Sequence, residues 1–142
     1  MNNHQTPLVV DTHIWLWLIN ADPVLEAPRF QKAIQPFIKN SELWVSVISV
    51  WEVGMLKAKG RLNLPYDVGE WCAHAVRAPG ILLAPLTPEI AVESTRLPGT
   101  LHGDPSDRIL IATSKIAGGT FITRDKKIIT YCQTYHLPVA EF

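Results

Sequence analysis

The sequence predicts an α/β fold with a mostly parallel central sheet. Three observations lead there: short apolar runs of strand length recur along the chain, stretches of helical apolar spacing separate them, and two runs end at or just before an aspartate. A strand buried on both faces is continuously apolar rather than alternating, and Leu8-Val9-Val10, which stops at Asp11, is the first of this kind. Thr12 to Asn20 then reads as a helix rich in Trp15, Leu16, Trp17 and Leu18, with Asp22-Pro23 as punctuation and a second helix from about Arg29 to Lys39.

Leu43-Trp44-Val45-Ser46-Val47 reads as the next strand. Ser49 is placed to cap a helix carrying Val50, Trp51, Val53, Met55 and Leu56 until Gly60 stops it, which puts Glu52 in that helix's first turn. After the break at Leu64-Pro65, Asp67 to Arg77 has helical spacing, and Ile81 to Ala84 reads as a strand. Thr87-Pro88-Glu89 is a helix start: Thr caps, Pro suits the first helical position and Glu favours the positive end. That helix is expected to end near Leu97-Pro98-Gly99. Asp104-Pro105-Ser106-Asp107 repeats the start signal, and Gly118-Gly119 closes the run. Thr120 to Thr123 is a compact strand just before Asp125, Lys126 to Cys132 a short helix, and Pro138-Val139 the start or flank of an edge strand.

At 142 residues the chain is long enough to bury a core without staples, and it is read as one domain over residues 1–142. A hydrophobic fraction of 47% with 18% charged residues excludes a disordered chain. The longest apolar stretches, Ile14 to Ile19 and Leu43 to Val53, fall short of the roughly 20 residues of a membrane span, so no membrane role is expected. The first residues lack the basic and small-residue features of a secretory signal, and Cys72 and Cys132 stand apart from any metal or redox spacing. A cytoplasmic protein with two buried thiols is the expectation. Net charge is zero, with 13 basic and 13 acidic residues, so no basic excess advertises nucleic acid. That objection weakens if four carboxylates are metal ligands, because 13 basic residues then face nine other acidic ones.

Asp11 and Asp125 follow different strands and emerge at one edge of a parallel sheet, where ligands bind in such folds. Glu52 and Asp107, near the starts of two helices, reach that edge if their helices begin there. Gathered carboxylates raise one another's pKa unless cations neutralise them, and an all-oxygen set suits Mg²⁺ or Mn²⁺. Such ions support phosphodiester hydrolysis. Each residue alone also has a structural account as a helix cap or a dipole partner. Asp104 and Asp107 compete for one role. With Pro105 first in the helix, Asp104 is the cap and Asp107 the third helical residue, so the metal is assigned to Asp107.

Over almost its whole length the chain resembles the PIN-domain ribonucleases, especially the VapC-type toxins of bacterial toxin-antitoxin pairs. The resemblance is carried by Val10-Asp11-Thr12-His13, by Val47-Ile48-Ser49-Val50-Trp51-Glu52-Val53 with Lys59-Gly60-Arg61-Leu62, and by Leu86 to Ala91. It continues through Leu101-His102-Gly103-Asp104-Pro105-Ser106-Asp107-Arg108 to Thr113 and ends on Thr123-Arg124-Asp125. It implies a three-layer α/β/α sandwich, an endoribonuclease dependent on Mg²⁺ or Mn²⁺, a homodimer and an inhibitory antitoxin protein, with RNA as substrate. On this resemblance Asp11, Glu52, Asp107 and Asp125 take the acidic catalytic and metal-binding positions, Asp11 and Asp107 as direct or water-mediated ligands and Glu52 orienting the attacking water. Thr123 or Thr12 would orient their neighbours by hydrogen bonds.

His13 is read as structural. Trp15, Trp17, Trp44, Trp51 and Trp71 are read as core or dimer packing, and Lys57, Lys59 and Arg61 as a solvated helix end. A barrel metal hydrolase is excluded because Trp15 stands where its second His belongs and the chain is short of the roughly 250 residues of that barrel. A phosphotransfer receiver would lean on one phosphorylated Asp and a later Lys. The nonenzymatic alternative is a catalytically inactive PIN-like module that binds RNA or protein, which has little need of four mutually repulsive carboxylates.

Overall fold

The computed structural model describes residues 6–23, 27–40, 42–101 and 104–140. His102 and Gly103 of the resemblance, and the first five residues, lie outside them. The elements in chain order are β1 (Leu8–Val10), α1 (Thr12–Ile19), α2 (Pro28–Lys39), β2 (Leu43–Ser46), α3 (Val47–Ala58), α4 (Val68–Ala75), β3 (Ile81–Ala84), α5 (Pro88–Ser94), α6 (Pro105–Ala117), β4 (Thr120–Ile122), α7 (Lys126–Thr134) and β5 (Val139–Ala140). The five strands form one sheet in the order β3-β2-β1-β4-β5, and every pairing is parallel. This is the α/β/α arrangement expected, and no helix among the described residues is long and apolar enough to cross a membrane.

Strand alternation assigns the two faces. Leu8 and Val10 of β1, Leu43 and Val45 of β2 and Ile122 of β4 turn one way, into a core with Ile14, Trp15, Phe30, Ile34, Val53 and Trp71 from α1 to α4. Val9 and Phe121 turn the other way and meet Leu110, Ile111, Ile128, Tyr131 and Cys132 of α6 and α7. The runs of β1 and β4 are buried almost completely, as continuous apolar strands require, whereas edge strand β3 leaves Leu82 and Leu83 exposed. Trp15 and Trp71 meet edge-on at 5.2 Å between ring centroids in the first core.

The chain leaves β1 for β2 and β3 on one side and returns to β4 and β5 on the other. Crossovers of a single hand then place helices on opposite faces of the sheet. The order reverses between β1 and β4, and the carboxyl ends of these neighbours form the crevice typical of open α/β sheets.

One boundary differs in a way that matters for the site. The helix expected to be capped by Ser49 begins three residues earlier: Ser46 Oγ accepts from Ile48 N at 3.1 Å, so β2 runs directly into α3. Ser49 is inside the helix and fully buried. Glu52 is consequently the sixth residue of α3, in its second turn rather than its first. Elsewhere α5 stops at Ser94, short of Leu97, and α7 runs on to Thr134. The end of α6 is as expected, with Gly118 at φ 66°, a left-handed conformation that glycine adopts without strain.

Candidate active site

The crevice between β1 and β4 opens into a cleft of about 360 Å³ lined by Asp11, Glu52, Asp107 and Asp125, with Asp104, His13, Trp17 and Arg124 at its walls. Four chain segments supply the acids. Asp11 is the residue between β1 and α1, Asp125 caps α7 after β4, Glu52 projects from α3, and Asp107 lies in the first turn of α6. All four positions singled out in the sequence are brought together.

Beneath the carboxylates runs a belt of hydroxyls at most 1% exposed: Thr12, Ser49, Ser106 and Thr123. Thr123 Oγ1 donates to Asp11 Oδ2 at 2.7 Å and accepts from Asp125 N at 3.1 Å, so one hydroxyl sets both the first and the last acid. Thr12 Oγ1 lies 2.7 Å from Glu52 Oε1 and 2.8 Å from Ser49 Oγ. A hydroxyl has one proton to give, so Thr12 donates to the carboxylate and accepts from Ser49. Ser106 Oγ is buried without a bonding partner among the described residues, yet its position beside Glu52 still favours the ionised carboxylate.

The electrostatics single out Asp107. Burial raises its carboxyl, the charges of Asp11, Glu52, Asp104 and Asp125 raise it further, and together they push it up to about 7 from 3.8. Asp11 is also raised, chiefly by burial, against the bond from Thr123 and the nearby His13. Glu52 is raised by burial, against the bond from Thr12. Asp107 has no such relief, and a cation is the simplest means of keeping it ionised.

No group of three or more His, Cys, Asp or Glu side chains among the described residues is drawn together tightly enough to hold a metal ion as it stands. Mg²⁺ needs only one or two carboxylates, because it retains several waters and takes further oxygens from substrate phosphate. The acidic set is all oxygen and its carboxyls are raised by burial and by one another, so the residues present fit a hard divalent cation.

Asp104 takes the capping role foreseen for it, its Oδ1 accepting from Ser106 N at 3.3 Å, and Asp107 is third in the helix. Asp104 nevertheless faces the same cleft and adds to the field on Asp107. Asp125 also has a structural duty, with Oδ1 accepting from Lys127 N at 2.9 Å.

Further side chains contribute that their local sequence does not mark. Ser49 is no cap here, and its place three residues before Glu52 puts both on one helix face. Ser106 adjoins Asp107, and Arg124 lies between Thr123 and Asp125, so adjacency was their only signal. Arg124 stands 5.7 Å from the Trp17 ring, a cation–π contact at the cleft wall. His13 is exposed there as well. Lys59 and Arg61, read as a solvated helix end, line a small groove of about 110 Å³ that shares Glu52 and Asp104 with the cleft. Trp15 and Trp71 are core residues as expected, whereas Trp51 is 52% exposed.

Comparison with known proteins agrees with this architecture. The family model described as PIN domain matches residues 8–133. Ribonuclease VapC22 of Mycobacterium tuberculosis is 32% identical over 127 residues, covering 87% of this chain and 90% of that protein. Among solved structures, VapBC2 from Rickettsia felis bound to a promoter DNA fragment superposes with a TM-score of 0.67 at 13% identity, covering 94% of this chain and 97% of that one. FitAcB from Neisseria gonorrhoeae gives 0.58 at 18% identity, covering 95% and 96%. At these identities the structural likeness concerns the fold.

Proposed function

The chain belongs to the PIN-domain family, and on that premise we propose that it is a divalent-metal-dependent endoribonuclease, the toxin of a toxin-antitoxin pair. The observation that carries the reading is Asp107, held among four other carboxylates in one cleft with its own carboxyl pushed up to about 7. A binding or structural module has no use for that arrangement, which costs stability. A nuclease does, because cations that neutralise it attract the phosphodiester as well.

In this reading Asp11 and Asp107 hold Mg²⁺ or Mn²⁺, directly or through water, and Asp125 completes the acidic set. A metal held there would supply Lewis-acid polarisation of the phosphate and a lower pKa for the attacking water. Glu52 is placed to orient the attacking water. Thr12, itself fixed by Ser49, holds Oε1 and leaves the second carboxylate oxygen for the task. Thr123 fixes Asp11 through Oδ2, and Asp125 keeps its own Oδ2 available while its Oδ1 caps α7. Arg124 and His13 at the rim are placed to attract the phosphate backbone. An inhibitory protein partner belongs to the same proposal, supported by fold neighbours solved as toxin-antitoxin complexes, as does pairing of two copies.

Incubating the purified chain with a mixed RNA pool, with Mg²⁺, with Mn²⁺ and with chelator, tests the reading. Internal cuts that require either ion are expected. Intact RNA under all conditions from a folded protein freed of any co-purifying partner would overturn it.

A further inference from the structure

A second groove, of about 530 Å³ and larger than the acidic cleft, runs along α7 and contains no carboxylate. Its walls are Thr100 and Leu101 on one side and, on the other, the α7 face bearing Lys126, Lys127, Tyr131 and Tyr135. The α7 wall adjoins the cleft, because Lys126 directly follows Asp125, which lines it.

The groove has the two components that single-stranded nucleic acid requires, cations for the backbone and an aromatic surface for a base. Lys126 and Lys127 are exposed and make no ion pair among the described residues. Tyr135 is 37% exposed, and its ring is fixed from behind. It packs on Tyr131 at 5.0 Å between centroids, and the Tyr131 hydroxyl donates to Pro98 O at 2.6 Å. Gly99, at φ +64°, lies against the hydroxyl end of the ring, where any Cβ would collide with the Tyr135 hydroxyl. The tyrosine is therefore set in place before a ligand arrives, which lowers the entropy lost on stacking.

We propose that this groove carries the single-stranded RNA flanking the cut, with Lys126 and Lys127 on its phosphates and a base stacked on Tyr135. The proposal rests on the ribonuclease reading and deepens it. From Asp125 to Tyr135 the helix rises about 15 Å, which a strand crosses in roughly four stacked nucleotides. Such a track places the specificity of the enzyme beyond the acidic cleft, on one side of the scissile bond.

The test uses the full chain and two readouts. In equilibrium binding to a single-stranded RNA of about 12 nucleotides in chelator, where nothing is cut, Tyr135→Leu is expected to weaken affinity about tenfold while Tyr135→Phe leaves it unchanged. The double variant Lys126→Gln, Lys127→Gln is expected to reduce the slope of log affinity against log salt by about 1.4. In metal-supported cleavage both variants raise KM for the long RNA, and Tyr135→Leu leaves the rate on a dinucleotide, too short to reach Tyr135, unchanged. Thermal midpoints confirm that each variant folds. Unchanged RNA affinity and KM in both groove variants overturns the proposal, including the case in which they lose affinity for a protein partner instead. Loss in Tyr135→Leu that Tyr135→Phe fails to rescue also overturns it. If the wild type cuts neither RNA, the ribonuclease reading falls, while the groove is judged by binding in chelator alone.

Discussion

Replacing Asp107 with Asn should separate the catalytic account from a structural one, because the two demand opposite signs. The carboxyl rises from 3.8 to about 7 in the folded protein, so between those values the folded state holds a proton that the unfolded chain has released. Stability of the metal-free protein therefore falls as pH climbs through that window and levels off above it. At about 1.4 kcal/mol per decade of proton affinity the full effect is roughly 4 kcal/mol. The group is only partly buried, and solvent screening brings this to the order of 1–2 kcal/mol. Asp107→Asn should thus raise the metal-free thermal midpoint at pH 7.5 by about 2–8 °C, and leave it nearly unchanged at pH 4. With Mg²⁺ present, cleavage should fall by about two orders of magnitude or more, near 2.7 kcal/mol of transition-state stabilisation. Asp104→Asn serves as the control, since Asn caps a helix about as well as Asp. Thermal scans at both pH values, with cleavage rates for both variants, supply the answer. A fully active Asp107→Asn beside a dead Asp104→Asn would move the metal to Asp104, and a destabilised metal-free Asp107→Asn would refute the electrostatic argument.

Chelation should abolish RNA cleavage and leave the far-ultraviolet circular dichroism intact, because both cores are apolar and owe nothing to a metal; loss of secondary structure would contradict this. Thr123→Val removes the donor to Asp11 and the acceptor for Asp125 N, and should cost about 1–3 kcal/mol along with at least tenfold in rate. Thr123→Ser keeps both bonds and should restore the rate; if it stays as slow as Thr123→Val, the hydroxyl is not the reason. Ser46→Ala should lower stability by about 1 kcal/mol in a denaturant titration, as loss of the α3 cap requires, and no change would place the cap elsewhere.

The strands were legible because burial on both faces leaves no room for polar residues, so Leu8-Val9-Val10 and Phe121-Ile122 announce themselves. The acids were legible for a related reason: a charged residue directly after such a run has to stand at the sheet's edge. The start of α3 was not legible, because the sequence offers two serines three residues apart, each followed by apolar residues. Either can cap; the end of the pairing between β2 and β3 at Ser46 and Ala84 decides for the first. The hydroxyl belt was legible only in part. Thr12 and Thr123 adjoin the acids, but Ser49 and Ser106 acquire their meaning when α3 and α6 pack together, and nothing in a serine's type or local spacing foretells that. Trp51 illustrates the converse, since helical spacing marks a residue as apolar and on a face without saying that another element covers the face.

Net charge concealed the most informative property of the surface. Equal numbers of acidic and basic residues argue against nucleic acid only if they are evenly mixed, and here they are not. Five carboxylates meet at the end of β1 and β4, while Arg124, Lys126 and Lys127 flank them on one side and Lys59 and Arg61 on the other. A polyanion approaching the bare cleft meets repulsion at its centre and attraction at both margins. On the proposed function, cations in the centre would reverse the first term without altering the second, which would couple affinity for RNA to loading with metal. The dependence of RNA affinity on divalent ion should accordingly persist in a variant too slow to cut, such as Glu52→Gln, in which Asp11 and Asp107 are intact. In binding assays at fixed ionic strength this variant should hold RNA more tightly with Mg²⁺ than with chelator, whereas Asp107→Asn should show a much smaller difference. Equal gains from Mg²⁺ in the two variants would mean that the ion acts on the RNA alone and that the cleft's charge has no part in holding it.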